Sequence, residues 1–346
     1  MGPASALLPP EAALPPETAL ATGRWVKWIA GASNQDLTAI EDLSAIYTLA
    51  GAHCLDLAAD PAVVAAARRG IAWAESRGAP RPWVMVSLSD GEDPHFRKAW
   101  FDPRRCPADC PRPCERVCPA LAIGEQATGA AGVLAERCYG CGRCLPVCPL
   151  GLIEERSWVL EPDALPPLLA ALDPDAVELH TSPGRQQAFE RRLDQLGASG
   201  LGLRRLGVSA GGQVSVAELW QRFAALRRRG HRPLWQLDGR PMSGDVGAGS
   251  ARAAVALLAR RRQRMPPGPL QLAGGTNARS LPLLQAAPGL ADACAGVAFG
   301  GGARRLLQPL LVQAQLGGGD LRHDAELCRR ALGLARSLLL PWLERC

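Results

Sequence analysis

Eight of the chain's twelve cysteines fall within the 43 residues from Cys106 to Cys148, and no other feature so narrows what these 346 residues can fold into. A cluster this dense is either a disulfide framework or a metal site. Disulfides persist in oxidising compartments. The first twenty-three residues are rich in Pro and Ala and contain no Lys or Arg, whereas secretory and transit peptides carry positive charge near their start. Residues 1–23 therefore read as a disordered leader on a cytoplasmic protein, and the cysteines as metal ligands. No apolar run reaches the ~18 residues that a membrane span needs.

The second half of the cluster, Cys138, Cys141, Cys144 and Cys148 followed by Pro149, spells C-x2-C-x2-C-x3-C-P, the bacterial ferredoxin run. Three thiolates on one tight loop reach three irons of a cubane. The fourth, a helical turn further on, points elsewhere. Gly140 and Gly142 let the backbone wrap closely and aim N–H groups at the sulfurs. Zinc sites usually pair two C-x2-C knuckles across a longer gap, which favours iron–sulfur here. The first half, Cys106, Cys110, Cys114, Cys118 and Pro119, has one extra residue in each of its first two gaps but keeps the closing C-x3-C-P. It reads as a second cluster of open nuclearity. If Cys106 or Cys110 does not ligate, a 3Fe-4S cluster with an open corner results; otherwise a wider loop wraps a 4Fe-4S cubane. In two-cluster ferredoxins the fourth cysteine of each run ligates the other cluster. Carried over, Cys106, Cys110, Cys114 and Cys148 form one set, and Cys138, Cys141, Cys144 and Cys118 the other. Residues 120–125 and 132–137 read as a hairpin around a Gly-rich turn, and 152–160 as a returning extended segment.

Outside this module, short apolar β-like runs alternate with amphipathic helical patterns. The runs span residues 25–32, 54–59, 83–88, 176–181, 203–209, 233–237, 270–273 and 296–299. The helical patterns span 37–49, 62–76, 166–172, 186–196, 216–229, 251–264 and 304–315, with a weak one at 280–287 and a final helix at 321–343. Eight β/α units predict a TIM-like (β/α)8 barrel, and excluding residues 91–160 leaves about 220 residues, within that fold's range. A doubly wound open sheet is the rival, because strand order is not visible in one sequence. The expected organisation is thus a leader (1–23), the first part of the barrel (24–90), a ferredoxin-like module (91–160) in the loop after strand three, the second part of the barrel (161–315) and a C-terminal helix (316–346).

Loops after barrel strands form the ligand-binding face, so the module is expected beside the barrel mouth. Ser33, Asn34, Asp60, Ser89, Asp90, His180, Thr181, Asp238, Thr276 and Asn277 end strands on that face. The loops after strands seven and eight, Gly274–Asn277 and Gly300–Gly302, occupy positions where barrels commonly hold phosphate. From these, Asp238, Arg240, Thr276 and Asn277 are candidate ligand contacts, with residues 238–245 the most functionally loaded loop. Asp60 and Ser182, each before proline, read first as helix N-caps, and His180 as a hydrogen-bonded structural group. Cys54 and Cys294, in or near apolar strands, read as core fillers. The net charge of +6 does not mark a nucleic-acid binder, since only Lys27 and Lys98 of 39 basic residues are lysine, a bias of genome composition. The run Arg260, Arg261, Arg262 and Arg264 reads as a solvated helix end.

Residues 25–33, 50–60, 91–98 and 238–244, together with both cysteine runs, resemble the cyanobacterial light-dependent period (LdpA) family, iron–sulfur proteins of circadian redox input. The opening strands are also similar to a cyanobacterial and plastid family of small barrel proteins. The resemblance implies a cytoplasmic sensor of photosynthetic redox state that associates with clock proteins and adjusts period length with light. The residues themselves indicate only a two-cluster electron carrier fused to a barrel; with the resemblance, electron carriers of photosynthesis become candidate partners. A redox sensor is the leading reading. An oxidoreductase passing electrons to a flavin or substrate at the barrel mouth is the second, and a scaffold held together by its clusters the third.

Overall fold

The strands carry two alternations at once, and together they decide the architecture. The computed structural model describes residues 14–125, 131–157, 161–240 and 247–345. Helix α1 (Pro16–Ala21) precedes β1 (Trp25–Ile29), α2 (Leu37–Leu49), β2 (Cys54–Ala58), α3 (Pro61–Glu75) and β3 (Trp83–Ser89). The chain then leaves the alternation for β4 (Arg97–Trp100), α4 (Pro113–Val117), β5 (Ile123–Glu125), β6 (Ala131–Val133) and β7 (Glu154–Ser157). It resumes with α5 (Leu165–Leu172), β8 (Ala176–His180), α6 (Gln186–Ala198), β9 (Arg205–Ser209), α7 (Val216–Arg228) and β10 (Pro233–Asp238). The last elements are α8 (Ala251–Arg261), β11 (Leu270–Ala273), α9 (Ser280–Gln285), β12 (Gly296–Phe299), α10 (Gly301–Leu316) and α11 (Ala325–Leu343). The eight expected barrel strands close in the order β1-β2-β3-β8-β9-β10-β11-β12, each parallel to its neighbours, with β12 returning to β1. Closure excludes the open-sheet rival.

Alternate residues of each strand face opposite ways. Val26, Trp28, Leu55, Leu57, Val84, Val86, Val177 and Leu179 belong to the main hydrophobic core with the helices. The other set fills the barrel. At its base Trp25, Cys54, Met85, Ala176 and Leu234 pack with Leu20 of α1. That helix corrects the expected leader. Residues 16–21 are helical, with Ala19 and Leu20 buried against the barrel floor, because an otherwise open apolar base is covered by them; residues 1–13 lie outside the described residues.

Above the apolar floor the interior is polar. Lys27 Nζ donates to Asp56 Oδ2 at 2.8 Å and to Glu178 Oε2, and Ser87 donates to Asp56 at 2.7 Å. Gln236 donates to Glu178, Gln271 to Gln236 at 2.8 Å, and Trp25 Nε1 to Gln271 at 2.8 Å. Each member has partners, the condition under which buried polar groups are tolerated. Two carboxylates share one ammonium, so the Lys27 pKa is held above its usual range against the effect of burial, while burial raises that of Glu178.

His53 lies at the same end as the apolar floor, stacked on Trp25, its Nδ1 accepting from Val26 N at 3.1 Å. Burial lowers its pKa to about 4. The unfolded imidazole takes up a proton below pH ~6.5 that the folded one refuses, so this group's stabilising effect is complete above that value and declines as pH falls toward 4. We expect His53→Asn, compared with the parent by urea titration at pH 7.5 and 5.5, to remove about 1 kcal/mol of acid sensitivity. Equal slopes in the two proteins would refute it.

Between β3 and α5 the module adds two small antiparallel sheets, β4 with β7 and β5 with β6. The hairpin and the returning segment expected from the sequence are present; the turn at 126–130 lies outside the described residues, and β4 is additional. The module's own core consists of Ala99, Phe101, Ala120, Ala122, Ile123 and Ile153 with the side chains of Cys114, Cys138 and Cys144. So little hydrocarbon makes metal binding and folding one process. It is docked on the barrel through Gln35 N, which donates to Glu136 O at 2.8 Å, and Lys98 Nζ, which donates to Gln35 Oε1 at 2.5 Å.

Two further expectations are corrected. Ser182 is not a helix cap, because α6 starts at Gln186 after Arg185; its carbonyl instead accepts from Arg222 at 2.7 Å. The end of α8 is not merely solvated, since Arg261 turns back to donate to the carbonyls of Ala210, Gly211, Gly212 and Val214 and pins the β9–α7 loop. Asp60 is the N-cap of α3, accepting from Ala62 and Val63 N. Cys54 and Cys294 are buried in the core.

Candidate iron–sulfur centres and barrel-mouth cavity

The tight turns between Cys138, Cys141 and Cys144 need left-handed backbone, which Gly140 (φ 69°) and Gly142 (φ 72°) provide. Their loop curls round a cavity lined by Cys138, Cys141, Cys144 and Cys118, the last reaching in from the other run. Ala99 N donates to Cys138 Sγ at 3.3 Å and Ala122 N to Cys118 Sγ at 3.2 Å. Burial, with the neighbouring Cys141, Cys138 and Cys118, pushes the Cys144 thiol up to about 12. Four thiols in one apolar pocket, of which burial raises the pKa of Cys141 and Cys144, fit a cationic iron–sulfur core, which stabilises the thiolates that hydrocarbon does not. In the other half Cys148 is an electrostatic neighbour of both Cys106 and Cys114, and Cys106 is hydrogen-bonded with Cys110. Leu152 N donates to Cys148 Sγ at 3.4 Å.

The two halves repeat the same turn. Leu121 N donates to Cys118 O at 3.3 Å and Gly151 N to Cys148 O at 3.1 Å, with φ of 50° and 59°. One copy uses glycine for this left-handed position and the other an exposed leucine, and the left-handed conformation costs an L-residue ~1–2 kcal/mol. Leu121→Gly should therefore raise stability by about 0.5–1 kcal/mol after the added chain entropy of glycine is subtracted. The check is the denaturation midpoint of the anaerobic holoprotein, and a lowered midpoint would show that the leucine side chain contributes more than the strain costs.

The barrel mouth opens beside this loop. Its cavity is lined by Ser87, Glu178, His180, Gln236 and Asp238 from strand ends, by Arg240, by both glycine loops, and by Arg304 of α10; Tyr139, Cys141 and His95 of the module close the side. Cys141 thus belongs to the walls of both cavities. His95 Nδ1 lies 2.7 Å from Asp93 Oδ1, and His180 lies 3.9 Å from Asp93 and 3.3 Å from Glu178. Burial and the nearby His95 lower the His180 pKa to about 4, whereas Asp93 raises that of His95 despite burial. Burial raises the Asp238 carboxyl to about 6 against the pull of His95 and Lys27.

All four candidate ligand contacts, Asp238, Arg240, Thr276 and Asn277, line this one cavity. Thr276 Oγ1 donates to Ala298 O at 2.5 Å, and Asn277 holds its own loop through Ser250 Oγ at 3.1 Å and Arg279 N at 2.9 Å. Residues 241–246, including the rest of the 238–245 loop, lie outside the described residues. The other polar strand ends are used elsewhere. Thr181 donates to Asp90 at 2.5 Å, Asp90 pairs with Arg185 at 2.9 Å, Ser89 donates to Gly91 O at 2.6 Å and Asn34 to Ala30 O at 3.2 Å, while Ser33 donates to His95 O. Sequence reasoning missed Lys27, Asp56, Glu178 and Gln236, although each is the polar residue at alternate positions of an apolar strand. It also missed Asp93, His95, Tyr139 and Arg304, which only docking of the module brings together.

Fold and site define a (β/α)8 barrel with an iron–sulfur-binding module inserted after its third strand. Residues 106–159 match the LdpA Fe-S cluster-binding domain and residues 168–341 the light dependent period A C-terminal domain. The chain is 46% identical over 332 residues to light dependent period A of Synechococcus elongatus, covering 93% of this chain and 92% of that protein. It belongs to the light dependent period A family. Among solved structures, a truncated 3-deoxy-D-arabino-heptulosonate 7-phosphate synthase from Thermotoga maritima is similar at a TM-score of 0.42 with 12% identity over 90% of this chain and 86% of that one. The tryptophan synthase α subunit of Legionella pneumophila is similar at 0.40 with 10% identity over 95% and 98%. Among the described residues no helix is long and apolar enough to cross a membrane.

Proposed function

We propose that the protein is a redox-responsive iron–sulfur protein that couples photosynthetic redox state to circadian period, with two clusters held by crossed cysteine sets. The observation that carries this reading is the grouping of thiols from both runs, Cys118 with Cys138, Cys141 and Cys144, around one cavity that shares Cys141 with the barrel mouth. Iron–sulfur clusters supply one-electron storage at potentials from about −700 to +450 mV. The chain's own residues then do three things. Backbone N–H groups of Ala99, Ala122 and Leu152 donate to ligand sulfurs, which stabilises added negative charge. Tyr139 transmits a change in the loop to Arg304, on which it stacks at 3.7 Å. The surface around the mouth, where the module meets the barrel, is the face offered to clock proteins or electron carriers.

Anaerobic purification with iron and sulfide counts, EPR and an absorption spectrum tests this reading. Two cluster signals with only the broad brown absorbance support it, and zinc without iron would overturn it. The second reading, an oxidoreductase, has one specific observation in its favour, the carboxylates and imidazoles of Asp93, His95, His180 and Asp238 set beside Cys141 at the mouth. A resolved flavin spectrum in the same sample would select it.

A further inference from the structure

Helix α10 runs for 16 residues from Gly301 and has no side-chain cap and no acidic residue in its first turn. Its first N–H groups have no partner within the helix, and Gly300, Gly301 and Gly302 leave them uncovered toward the barrel-mouth cavity. A helix start alone would say little. One turn further on, Arg304 lines the same cavity, only 6% exposed, with Nε and Nη1 unpartnered. Among the described residues no carboxylate pairs with it; its titratable neighbours are Tyr139, Cys141 and Tyr47, each with its pKa raised by burial. Stacking of its plane on Tyr139 at 3.7 Å fixes the guanidinium but satisfies none of its N–H groups.

A buried cation with free donors is costly unless an anion completes it. Here two kinds of anion-seeking group meet, a helix N-terminus and an edge of a guanidinium, the pair of features that holds phosphate oxygens. The carboxylates of the cavity stand on strands β8 and β10, and Glu178 is already paired with Lys27. The anion therefore belongs at the β12–α10 side. His180 and Asp238 line the cavity across the strand ends, on the side that a hydrogen-bonding body attached to it would face.

We propose that the barrel mouth binds phosphate, free or as the monoester of a small polar metabolite, on the N-terminus of α10 and the Arg304 guanidinium, against the wall it shares with Cys141. The inference does not depend on the redox reading, since the groups that hold the anion belong to the barrel. Binding to the anaerobic full-length holoprotein is measured by calorimetry with inorganic phosphate, and with ribose 5-phosphate competing against it. Saturable binding is expected, weakened at least tenfold in Arg304→Met and less in Arg304→Lys. Tighter binding of ribose 5-phosphate than of inorganic phosphate assigns the site to a monoester; equal or weaker binding assigns it to free phosphate. Gly302→Asp provides a variant expected to fold, because an acidic residue suits a first helical turn and the added Cβ meets Thr276 O only at 3.6 Å. It should abolish binding by placing a carboxylate in the cradle. Absence of binding in the parent protein overturns the proposal. So does Arg304→Met binding phosphate as the parent does, or Arg304→Met altering only the cluster EPR, which would make the arginine a counter-charge to the cluster.

Discussion

Replacing Cys118 by serine is expected to perturb or remove the EPR signal of the cluster held by Cys138, Cys141 and Cys144 while sparing the other, and Cys148→Ser to do the reverse. The reason is geometric. A cysteine one turn past its own loop projects toward the pseudo-symmetric partner. Cys118 lies in the cavity formed by the second run, and Cys148 stands beside Cys106 and Cys114. Each of these sulfurs also accepts from the N–H four residues later, of Ala122 and Leu152, so the two runs end in matching turns. Cluster-resolved EPR of the two variants measures the outcome, with iron counts reporting any loss of metal. If each substitution disturbed only the cluster of its own run, crossed ligation would be wrong for this chain.

Lys27→Met should cost about 3–5 kcal/mol, the largest effect of any single substitution inside the barrel, because it strands two buried carboxylates that share one ammonium. Lys27, Asp56 and Glu178 are almost wholly inaccessible, so no water replaces the lost partner. Adding Asp56→Asn and Glu178→Gln to Lys27→Met removes the uncompensated charge and should recover most of the loss. The destabilisation is read from chemical denaturation of the three proteins. A single variant within 1 kcal/mol of the parent would mean that the carboxylates take up protons at little cost. The same network reaches the mouth through Glu178, 3.3 Å from His180, so its loss should also disturb the imidazole there.

Much of this architecture is legible in one dimension because it rests on local rules. Helix α2 begins and ends where its apolar period does, and β11 and β12 coincide with runs of four residues bounded by turn residues. Elsewhere the ends move by a residue or several, as hydrogen bonding to a neighbouring strand, not composition, decides where pairing stops. Helix α1 was hidden by its Pro/Ala-rich surroundings; its order comes from Leu20, which packs with Trp25 and Met85 at the barrel floor. Arg261 and Ser182 were misjudged for a related reason, because their partners are carbonyls and side chains brought near by the fold.

The cysteine spacing by itself determined the ligand chemistry, since thiolate positions on a tight loop depend on a few consecutive residues and their glycines. Strand and helix periodicity likewise determined eight β/α units, because amphipathic patterning is a property of neighbours along the chain. Tertiary structure alone decided that the sheet closes, that one lysine serves two carboxylates from different strands, and that Tyr139 of the module lies on Arg304 of α10. Those contacts join residues far apart in sequence, such as Lys27 with Glu178. They depend on strand order, register and the docking of an inserted module, and no local preference of the chain encodes any of the three.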